Sequence, residues 1–383
     1  MQKVAVIFGG KSCENEISVL TGVFVLNLLG RDRYDVFPVY IHTDGKWYTS
    51  DKAYNLDLFK KADFSLFSRV FLEDGCLYEL CEKKGKGRVR RLAKLDCVLN
   101  CCHGGLGEGG GVSAVAELNG VPLASPSLLS SSVFLDKAMT KFIARALSIP
   151  TVDYVCAKES DYKKRGKFLL KNVESKLKYP VVIKPSRLGS SIGIAIAKDE
   201  EELKRALEVA FLLDEKVVVE KYLEEKKDVN CAAYSLRGEV YVSDAEVACD
   251  EKGIYTFADK YLKKPSSPTG TKLQEQDGQG LKKPELDEEI TKKIKAYTKS
   301  IYRKMDVKGV IRIDYLVKGK EIYLSEVNTV PGSLAYYLFC SSLTSARQFF
   351  CDLIDDAIAT YFEKSVLQTG ILQKVRLNGK VRL

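Results

Sequence analysis

The stretch GVIRIDYLVKGKEIYLSEVNTVPGS, residues 309–333, has two β-type runs on either side of a short KGKE segment. This pattern predicts an antiparallel hairpin. If the turn centres on Gly319, Arg312 should face Glu326 across the pair. Because side chains alternate along a strand, the even-numbered residues should share one face. That face would carry Arg312, Asp314, Leu316, Ile322, Leu324, Glu326 and Asn328.

The polar residues of this face indicate a cation site. Glu326 and Asn328 are two positions apart, so they point the same way in any register. Together with Asp314 they offer hard oxygen ligands, which suit Mg²⁺ shared with phosphate. The alternative interpretation is an edge strand with ordinary solvated charges. The arginine and the following Pro331-Gly332 favour a site over that alternative.

Two upstream segments could bind a nucleotide. In VVIKPSRLGSSIGIA (181–195), a strand leads to Lys184 and then to small residues whose backbone N–H groups could approach an anion. The segment is not a P-loop, and a plain turn is the alternative. In VVVEKYLEEKKD (217–228), Glu220, Lys221 and Asp228 could present backbone and carboxylate groups to an adenosine. The alternative there is solvated charge at a strand end.

The N-terminal part resembles an α/β unit. VAVIFGG (4–10) is a continuous apolar run that ends in two glycines, as a parallel strand buried on both faces would. DCVLNCC (96–102) is a second such run and leads into a glycine-rich loop. Strand, loop and helix in this order place ligands at the carboxyl ends of strands.

A zinc site is one interpretation of the cysteines beside that loop. Its ligands would be Cys97, Cys101, Cys102 and His103, but no C-x₂-C pair occurs among them. Because alternation puts Cys97, Leu99 and Cys101 on one strand face, core packing is the favoured interpretation.

The bulk composition narrows the functional classes. The 383 residues predict two or three domains, and no apolar run reaches the roughly 20 residues of a membrane helix. The eleven scattered cysteines and the missing signal-peptide pattern predict a cytoplasmic protein with reduced thiols. The net charge is +9, but basic residues are mixed with acids except in the tail from Ser365. That pattern favours an anionic substrate such as a nucleotide over nucleic acid.

The predicted organisation has four parts. An N-terminal α/β domain with a Rossmann-like parallel sheet covers 1–130, and a central subdomain covers 131–228. A C-terminal subdomain covers 229–363, and a basic tail covers 364–383. Residues 251–285 show little periodicity, which is typical of a mobile lid or a disordered segment.

In their order, these motifs resemble those of the D-alanine–D-alanine ligases, a family of the ATP-grasp superfamily. The likeness runs from Val4 to about Leu338. It rests on these segments: VAVIFGGKSCENEIS, HGGLGEGG, LDKAMTK, VVIKPSRLGSSIG, EKYL, DKYL and RID…EVNTVPGS. The resemblance implies an ATP-grasp fold, and ATP and Mg²⁺ (with Mn²⁺ as an alternative) as cofactors. It also implies a ligase joining D-alanine to a second D-amino acid for peptidoglycan precursors, and suggests a homodimer.

The resemblance also implies roles for individual residues in the reaction. Glu14 would meet the amino group of the first substrate, and Ser190 would link Glu14 to Tyr261. Arg312 and the Gly332 backbone would stabilise the oxyanion. The residues implied to border the amino acids are His103, Tyr337 and Leu338.

A second set of implied roles concerns ATP and metal. The ATP-binding residues would be Lys137, Lys184, Glu220, Lys221, Leu223, Asp228 and Lys260. Lys137 and Lys184 would bind phosphates, Glu220 the adenine amino group, and Asp228 the ribose. The metal ligands would be Asp314, Glu326 and Asn328.

Four positions depart from the family pattern. Gly109 and Ser113 replace an expected Asp and Gln, Leu188 replaces a frequent Glu, and Tyr337 replaces a small serine. Because the amino-acid side of the site changes more than the ATP side, two alternatives stay open. One is an ATP-grasp carboxylate–amine ligase with an altered second substrate. The other is a non-catalytic nucleotide-binding homologue.

Overall fold

The computed structural model describes residues 1–30, 32–61, 64–83, 86–248 and 286–368. The lid predicted at 251–285, with Lys260 and Tyr261, lies outside the described residues, as does the basic tail beyond Gln368. Three sheets of seven, four and five strands make up the described part. None of its helices is both long and apolar enough to cross a membrane.

The N-terminal sheet has the strand order β6-β5-β4-β3-β2-β1-β7. Its strands are β1 (Gln2–Gly9), β2 (Tyr34–Ile41), β3 (Trp47–Thr49), β4 (Ser68–Glu73), β5 (Cys76–Lys83), β6 (Lys86–Lys94) and β7 (Cys97–Asn100). β1 pairs in parallel with β2 and β7, which confirms the predicted parallel core. The antiparallel extension β3–β6 was not predicted. Asp74-Gly75, both at positive φ between β4 and β5, is the hairpin signal that could have revealed it.

Strand β1 is buried on both faces, as its continuous apolar run predicts. Val4, Val6 and Phe8 pack into one hydrophobic cluster, whereas Ala5 and Ile7 pack into another on the opposite face. The period of two along the strand assigns these side chains to their faces. Parallel strands of this kind need cover on both sides, and helices supply part of it.

Nine α-helices occur in the described residues, besides a π-helical turn at Gly107–Gly111 and a 3-10 helix at Gly332–Leu338. They are α1 (Asn15–Leu29), α2 (Leu56–Lys60), α3 (Val112–Leu118), α4 (Leu128–Leu135), α5 (Lys137–Ala146), α6 (Glu159–Leu177), α7 (Glu200–Leu213), α8 (Glu288–Lys304) and α9 (Leu343–Gln368). α1 packs closely on β1 because Gly22 lies against Phe8, where an added Cβ would stand 2.3 Å from the ring. α9 returns from the end of the described chain to the same cluster, where Tyr34 donates a 2.7 Å hydrogen bond to Asp355.

The second sheet is antiparallel and has the order β10-β9-β11-β8. Its strands are β8 (Tyr154–Lys158), β9 (Val181–Pro185), β10 (Ala195–Ala197) and β11 (Lys216–Lys221). α6 and α7 cover one face through a cluster that includes Leu170, Val173, Leu203 and Leu207. The opposite face is thereby left for the candidate site.

The third sheet has the order β13-β12-β15-β16, with β14 paired to β12. Its strands are β12 (Lys227–Leu236), β13 (Glu239–Val242), β14 (Glu246–Val247), β15 (Val310–Lys318) and β16 (Glu321–Asn328). Helix α8 packs on one face through Ile290, Ile294 and Ile301. β15 and β16 form the predicted hairpin.

The predicted register of this hairpin is wrong by two residues. Arg312 pairs with Asn328, and Asp314 pairs with Glu326, because the turn is centred between Gly319 and Lys320 and Ser325 is an extra residue in β16. This bulge also reverses the faces that side chains between the turn and Ser325 occupy. Ile322 and Leu324 therefore join the core under α8 instead of sharing the face of Arg312 and Asp314.

Candidate active site

A cavity of about 360 Å³ lies where the three sheets meet. Thirteen of the residues predicted for the site line it: Glu14, His103, Lys184, Ser190, Glu220, Lys221, Leu223, Asp228, Arg312, Asp314, Glu326, Asn328 and Gly332. Lys137 and Tyr337 contact lining residues from just outside. Leu338 does not reach the cavity and packs against the N-terminal core. A second cavity of about 460 Å³, beside Glu79 and Arg90, brings none of the predicted residues together.

The β15–β16 hairpin supplies the acidic wall of the cavity. Arg312 donates from Nε to Asp314 Oδ1 at 2.7 Å and from Nη2 to Oδ2 at 2.9 Å. Asn328 Nδ2 donates to Asp314 Oδ2 at 3.1 Å. The pairing of Asp314 with Glu326 places both carboxylates on one face. The two carboxylates thus lie together on the face where the sequence predicts hard donors, and Arg312 holds both oxygens of Asp314.

A basic wall faces this hairpin, and Lys137 of α5 belongs to it. Lys137 is the first residue of α5, where Asp136 caps the helix by accepting from the N–H groups of Ala138 and Met139. Lys137 Nζ donates to the carbonyl of Leu188 at 2.5 Å and lies 3.2 Å from Glu326 Oε2. This lysine therefore connects the small-residue loop after β9 to the acidic wall.

Glu220 lies between two lysines in the floor of the cavity. Its Oε2 is 2.7 Å from Lys184 Nζ, and its Oε1 is 2.9 Å from Lys141 Nζ. Burial alone would raise the pKa of Glu220, but the two ammonium groups outweigh it and lower the pKa to about 2. Sequence reasoning missed Lys141. Its position one helical turn after Lys137 was the available signal.

The glycine-rich loop after β7 forms the N-terminal wall. His103 is buried, with Nε2 2.8 Å from Thr21 Oγ1, and burial lowers its pKa to about 4, so the ring is neutral near pH 7. Ser190 donates a hydrogen bond to Glu14 across the cavity. Of the predicted link from Glu14 through Ser190 to Tyr261, the contact between Glu14 and Ser190 is present. Tyr261 lies outside the described residues.

Glu108 is a further member of this wall that sequence reasoning did not select. It accepts from the N–H of Gly104 at 2.8 Å, and from those of Thr329 and Val330 at 3.2 and 3.3 Å. It thus ties the glycine loop to the end of β16, 221 residues away in sequence. The signal that could have identified it is a lone acid among small residues.

Glu108 should give the protein a specific pH dependence. Burial and the neighbouring Glu14 raise the pKa of Glu108 from 4.5 to about 7 in the folded state. The folded protein therefore binds the Glu108 proton more tightly than the unfolded protein does. Protonated Glu108 stabilises the fold, and this stabilisation is complete below pH 4.5 and is lost as the pH rises through 7. Relative to Glu108→Gln, the free energy of unfolding of the wild type should fall by about 3 kcal/mol between pH 4.5 and 8. Urea unfolding of both proteins at several pH values measures this, and parallel curves would contradict it.

The predicted alternative of a zinc site is not found. Among the described residues, no three His, Cys, Asp or Glu side chains converge as metal ligands. Cys97 and Cys101 pack in one core cluster and Cys102 in another, on opposite faces of the sheet. Burial raises the pKa of all three thiols, so they remain protonated core side chains.

The structure accounts for two of the departures in the glycine loop. A Cβ at Gly109 would stand 2.6 Å from Leu135 Cδ2, so a larger residue there requires Leu135 to move. Ser113 is buried in α3 and donates to the carbonyl of Pro126 at 2.8 Å. Both residues thus fit the local packing of this chain.

Tyr337 follows an unusual turn at the far end of the cavity. Ser333, Leu334 and Ala335 all have φ near +50°, a left-handed conformation that costs about 1–2 kcal/mol per non-glycine residue. The turn places the Tyr337 hydroxyl 3.4 Å from Arg312 Nη1, which donates to it. The phenol therefore stands beside the arginine of the acidic wall.

Comparisons with known proteins agree with this geometry. Residues 3–126 match the family model "D-ala D-ala ligase N-terminus", and residues 143–359 match "D-ala D-ala ligase C-terminus". The D-alanine–D-alanine ligase of Thermosipho africanus is 32% identical over 368 residues, covering 95% of this chain and 94% of the relative. The ligase of Campylobacter jejuni is also 32% identical and covers 88% of this chain and 89% of its own.

Solved structures show the same fold. The D-alanine–D-alanine ligase of Coxiella burnetii superposes with a TM-score of 0.75 at 22% identity, covering 98% of this chain and 99% of its own. The VanG D-Ala:D-Ser ligase of Enterococcus faecalis superposes with a TM-score of 0.71 at 27% identity, covering 94% and 99%. The expected ATP-grasp fold is thereby confirmed. With both family models matched in order along its length, the chain belongs to the D-alanine–D-alanine ligase family, whose members are ATP-dependent carboxylate–amine ligases.

Proposed function

We propose that this chain joins D-alanine to a second D-amino acid, D-alanine itself in the first instance, for peptidoglycan precursors. The observation that carries the proposal is a single cavity with three chemically distinct walls. Glu14 and His103 offer polar groups to an amino acid, Lys184 and Glu220 lie where a nucleotide would bind, and Asp314 belongs to the acidic wall. ATP and two amino acids need these three environments together.

The acidic wall fits Mg²⁺. Asp314 and Glu326 supply carboxylate oxygens and Asn328 an amide oxygen, and Mg²⁺ is commonly held by one or two carboxylates together with substrate phosphates. Asp314 already accepts from Arg312 and Asn328, so its orientation is set before any metal is present. When bound, Mg²⁺ would offset charge on the phosphates of ATP.

The remaining residues suit the chemistry of an acyl phosphate. A carboxylate is a poor electrophile, so ATP first phosphorylates it, and the amine of the second amino acid then displaces phosphate. Lys137 and Lys184 would bind the phosphates. Arg312 and the N–H of Gly332 would stabilise the oxyanion that develops in the second step. Glu14 would hold the ammonium group of the first amino acid.

The family likeness also supports proposals about domain division, cellular location and oligomeric state. The chain divides into units at 1–130, 131–228 and 229–363, which is consistent with one sheet per unit. The enzyme works in the cytoplasm, where ATP is available to it. It forms a homodimer, which light scattering coupled to size-exclusion chromatography would measure.

Coupled ADP release over a panel of D-amino acids and D-lactate tests the proposed activity. We expect ADP release that depends on D-alanine and Mg²⁺, with one dipeptide formed per ADP. Absence of D-alanine-dependent ADP release under every pairing would contradict the proposal. ATP-dependent thermal stabilisation without turnover would instead identify a non-catalytic nucleotide-binding protein.

Tyr337 supports a second candidate, an altered second substrate. Its hydroxyl accepts from Arg312, so a bulky phenol stands beside the oxyanion-binding group at the end of the cavity. Mass spectrometry of products from mixed D-amino acids distinguishes the candidates. A mixed dipeptide in excess over D-alanyl-D-alanine would favour the second.

A further inference from the structure

The buried ion cluster of Lys141, Glu220 and Lys184 contains one more lysine than the proposed function uses. Lys141 Nζ has no exposed surface, while Lys184 is 13% exposed and lines the cavity. Lys141 therefore cannot reach a ligand, whereas Lys184 can. Both are held by the same carboxylate, from opposite sides.

The ammonium group of Lys141 has few polar partners other than Glu220. Apart from its 2.9 Å ion pair with Glu220, Nζ has no hydrogen-bond partner among the described residues and stands 5.1 Å from the centre of the Tyr154 ring. A buried ammonium group with one partner is costly, and burial lowers the pKa of Lys141. Lys141 nevertheless favours the ionised form of Glu220, because its charge lowers the pKa of that carboxyl group.

Nucleotide binding would leave Glu220 dependent on Lys141 as its counter-ion. Around the cluster, Lys137 is a third cation, while Asp228 and Glu326 are anions that act on Lys184. A triphosphate entering the cavity offers Lys184 several anionic oxygens in place of one carboxylate. Once Lys184 turns to the phosphates, Glu220 loses one of its two counter-ions, and a buried carboxylate without any counter-ion is strongly unfavourable.

We propose that Lys141 is a positioning residue that holds Glu220 in place as a buried anion, so that Lys184 is released to the phosphates when ATP binds. The inference rests on the proposed function in that it takes the cavity to be the ATP site. It assigns Lys141 no contact with the nucleotide. Its action runs through Glu220 and depends on phosphate, which distinguishes it from a purely structural role.

The test compares MgATP with adenosine, which has no phosphate to attract Lys184. In Lys141→Met, MgATP affinity measured by calorimetry without amino acid should fall at least about 30-fold at pH 8, whereas adenosine affinity should fall less than about 3-fold. Glu220 should then take up a proton when MgATP binds, which titrations in buffers of different ionisation enthalpy detect. The wild type should take up none, because Lys141 still pairs with Glu220 and keeps it ionised after Lys184 has turned to the phosphates.

Two further variants keep the test decisive. Arg145→Met removes an exposed positive charge from the same helix and should change neither affinity. Lys141→Met combined with Glu220→Gln removes both buried charges, so it should fold even if the single variant does not, and should bind MgATP without proton uptake. Equal losses of MgATP and adenosine affinity in Lys141→Met, without proton uptake, would overturn the inference alone. A wild type that binds no MgATP would overturn the proposed function, and this inference with it.

Discussion

Asp314→Asn should lower kcat/KM for ADP release by at least about 1,000-fold. The substitution keeps the shape of the side chain but removes the charge that the acidic wall offers to Mg²⁺. Asp314 is also the partner of Arg312 through two hydrogen bonds, so the arginine proposed to stabilise the oxyanion loses one of them at the same time. One substitution thus affects both charge-stabilising groups.

The metal role can be separated from a general loss of structure. In the wild type, Mg²⁺ should tighten ATP binding, whereas in Asp314→Asn the affinity should be almost independent of Mg²⁺. Glu321→Gln is the matched control, because Glu321 is exposed at the turn end of the same hairpin, away from the cavity. An Asp314→Asn protein that is folded and keeps near-normal turnover would show that the acidic wall is not the metal site.

Glu14→Gln should raise the apparent KM for D-alanine by about 100- to 1,000-fold while leaving ATP affinity within about threefold. Glu14 lines the cavity on the N-terminal side and accepts from Ser190. If it holds the ammonium group of the first amino acid, loss of its charge removes an ion pair from a largely desolvated site. In the proposed arrangement the nucleotide would lie against the other two sheets, so its affinity should be little affected.

Steady-state kinetics for D-alanine and calorimetry for MgATP measure the two effects separately. Glu16→Gln is the control, since Glu16 is an exposed acid in the first turn of the same helix. A change in ATP affinity as large as the change in KM would indicate that Glu14 supports the whole loop. An unchanged KM would exclude the proposed contact with the amino acid.

Local sequence patterns predicted most of the site on the β15–β16 hairpin. Alternation was enough to place Asp314, Glu326 and Asn328 on one face, because these positions lie on one side of the bulge. It failed for Ile322 and Leu324, which lie beyond Ser325. A single inserted residue is invisible to periodicity, yet it exchanges the two faces between one side of the bulge and the other.

Residues that act through distant partners were missed. Lys141 looks like a helix-surface lysine until β11 brings Glu220 beneath it. Glu108 looks like part of a flexible loop until β16 presents the N–H groups of Thr329 and Val330. Their pKa values are set by burial and by charges far away in sequence, so a local pattern could single out the two residues but not reveal their partners.

By itself, the sequence determined the strands that lead into the site, the parallel core around β1, the acidic hairpin face and the likeness to a ligase family. These follow from side-chain period, turn chemistry and motif order, which are properties of neighbouring residues. Only the tertiary structure decided the hairpin register, the opposition of Lys141 and Lys184 across Glu220, and the position of Tyr337 beside Arg312. Each of these depends on which surfaces are buried together, because desolvation and charge pairing act between segments that meet only after the three sheets have packed.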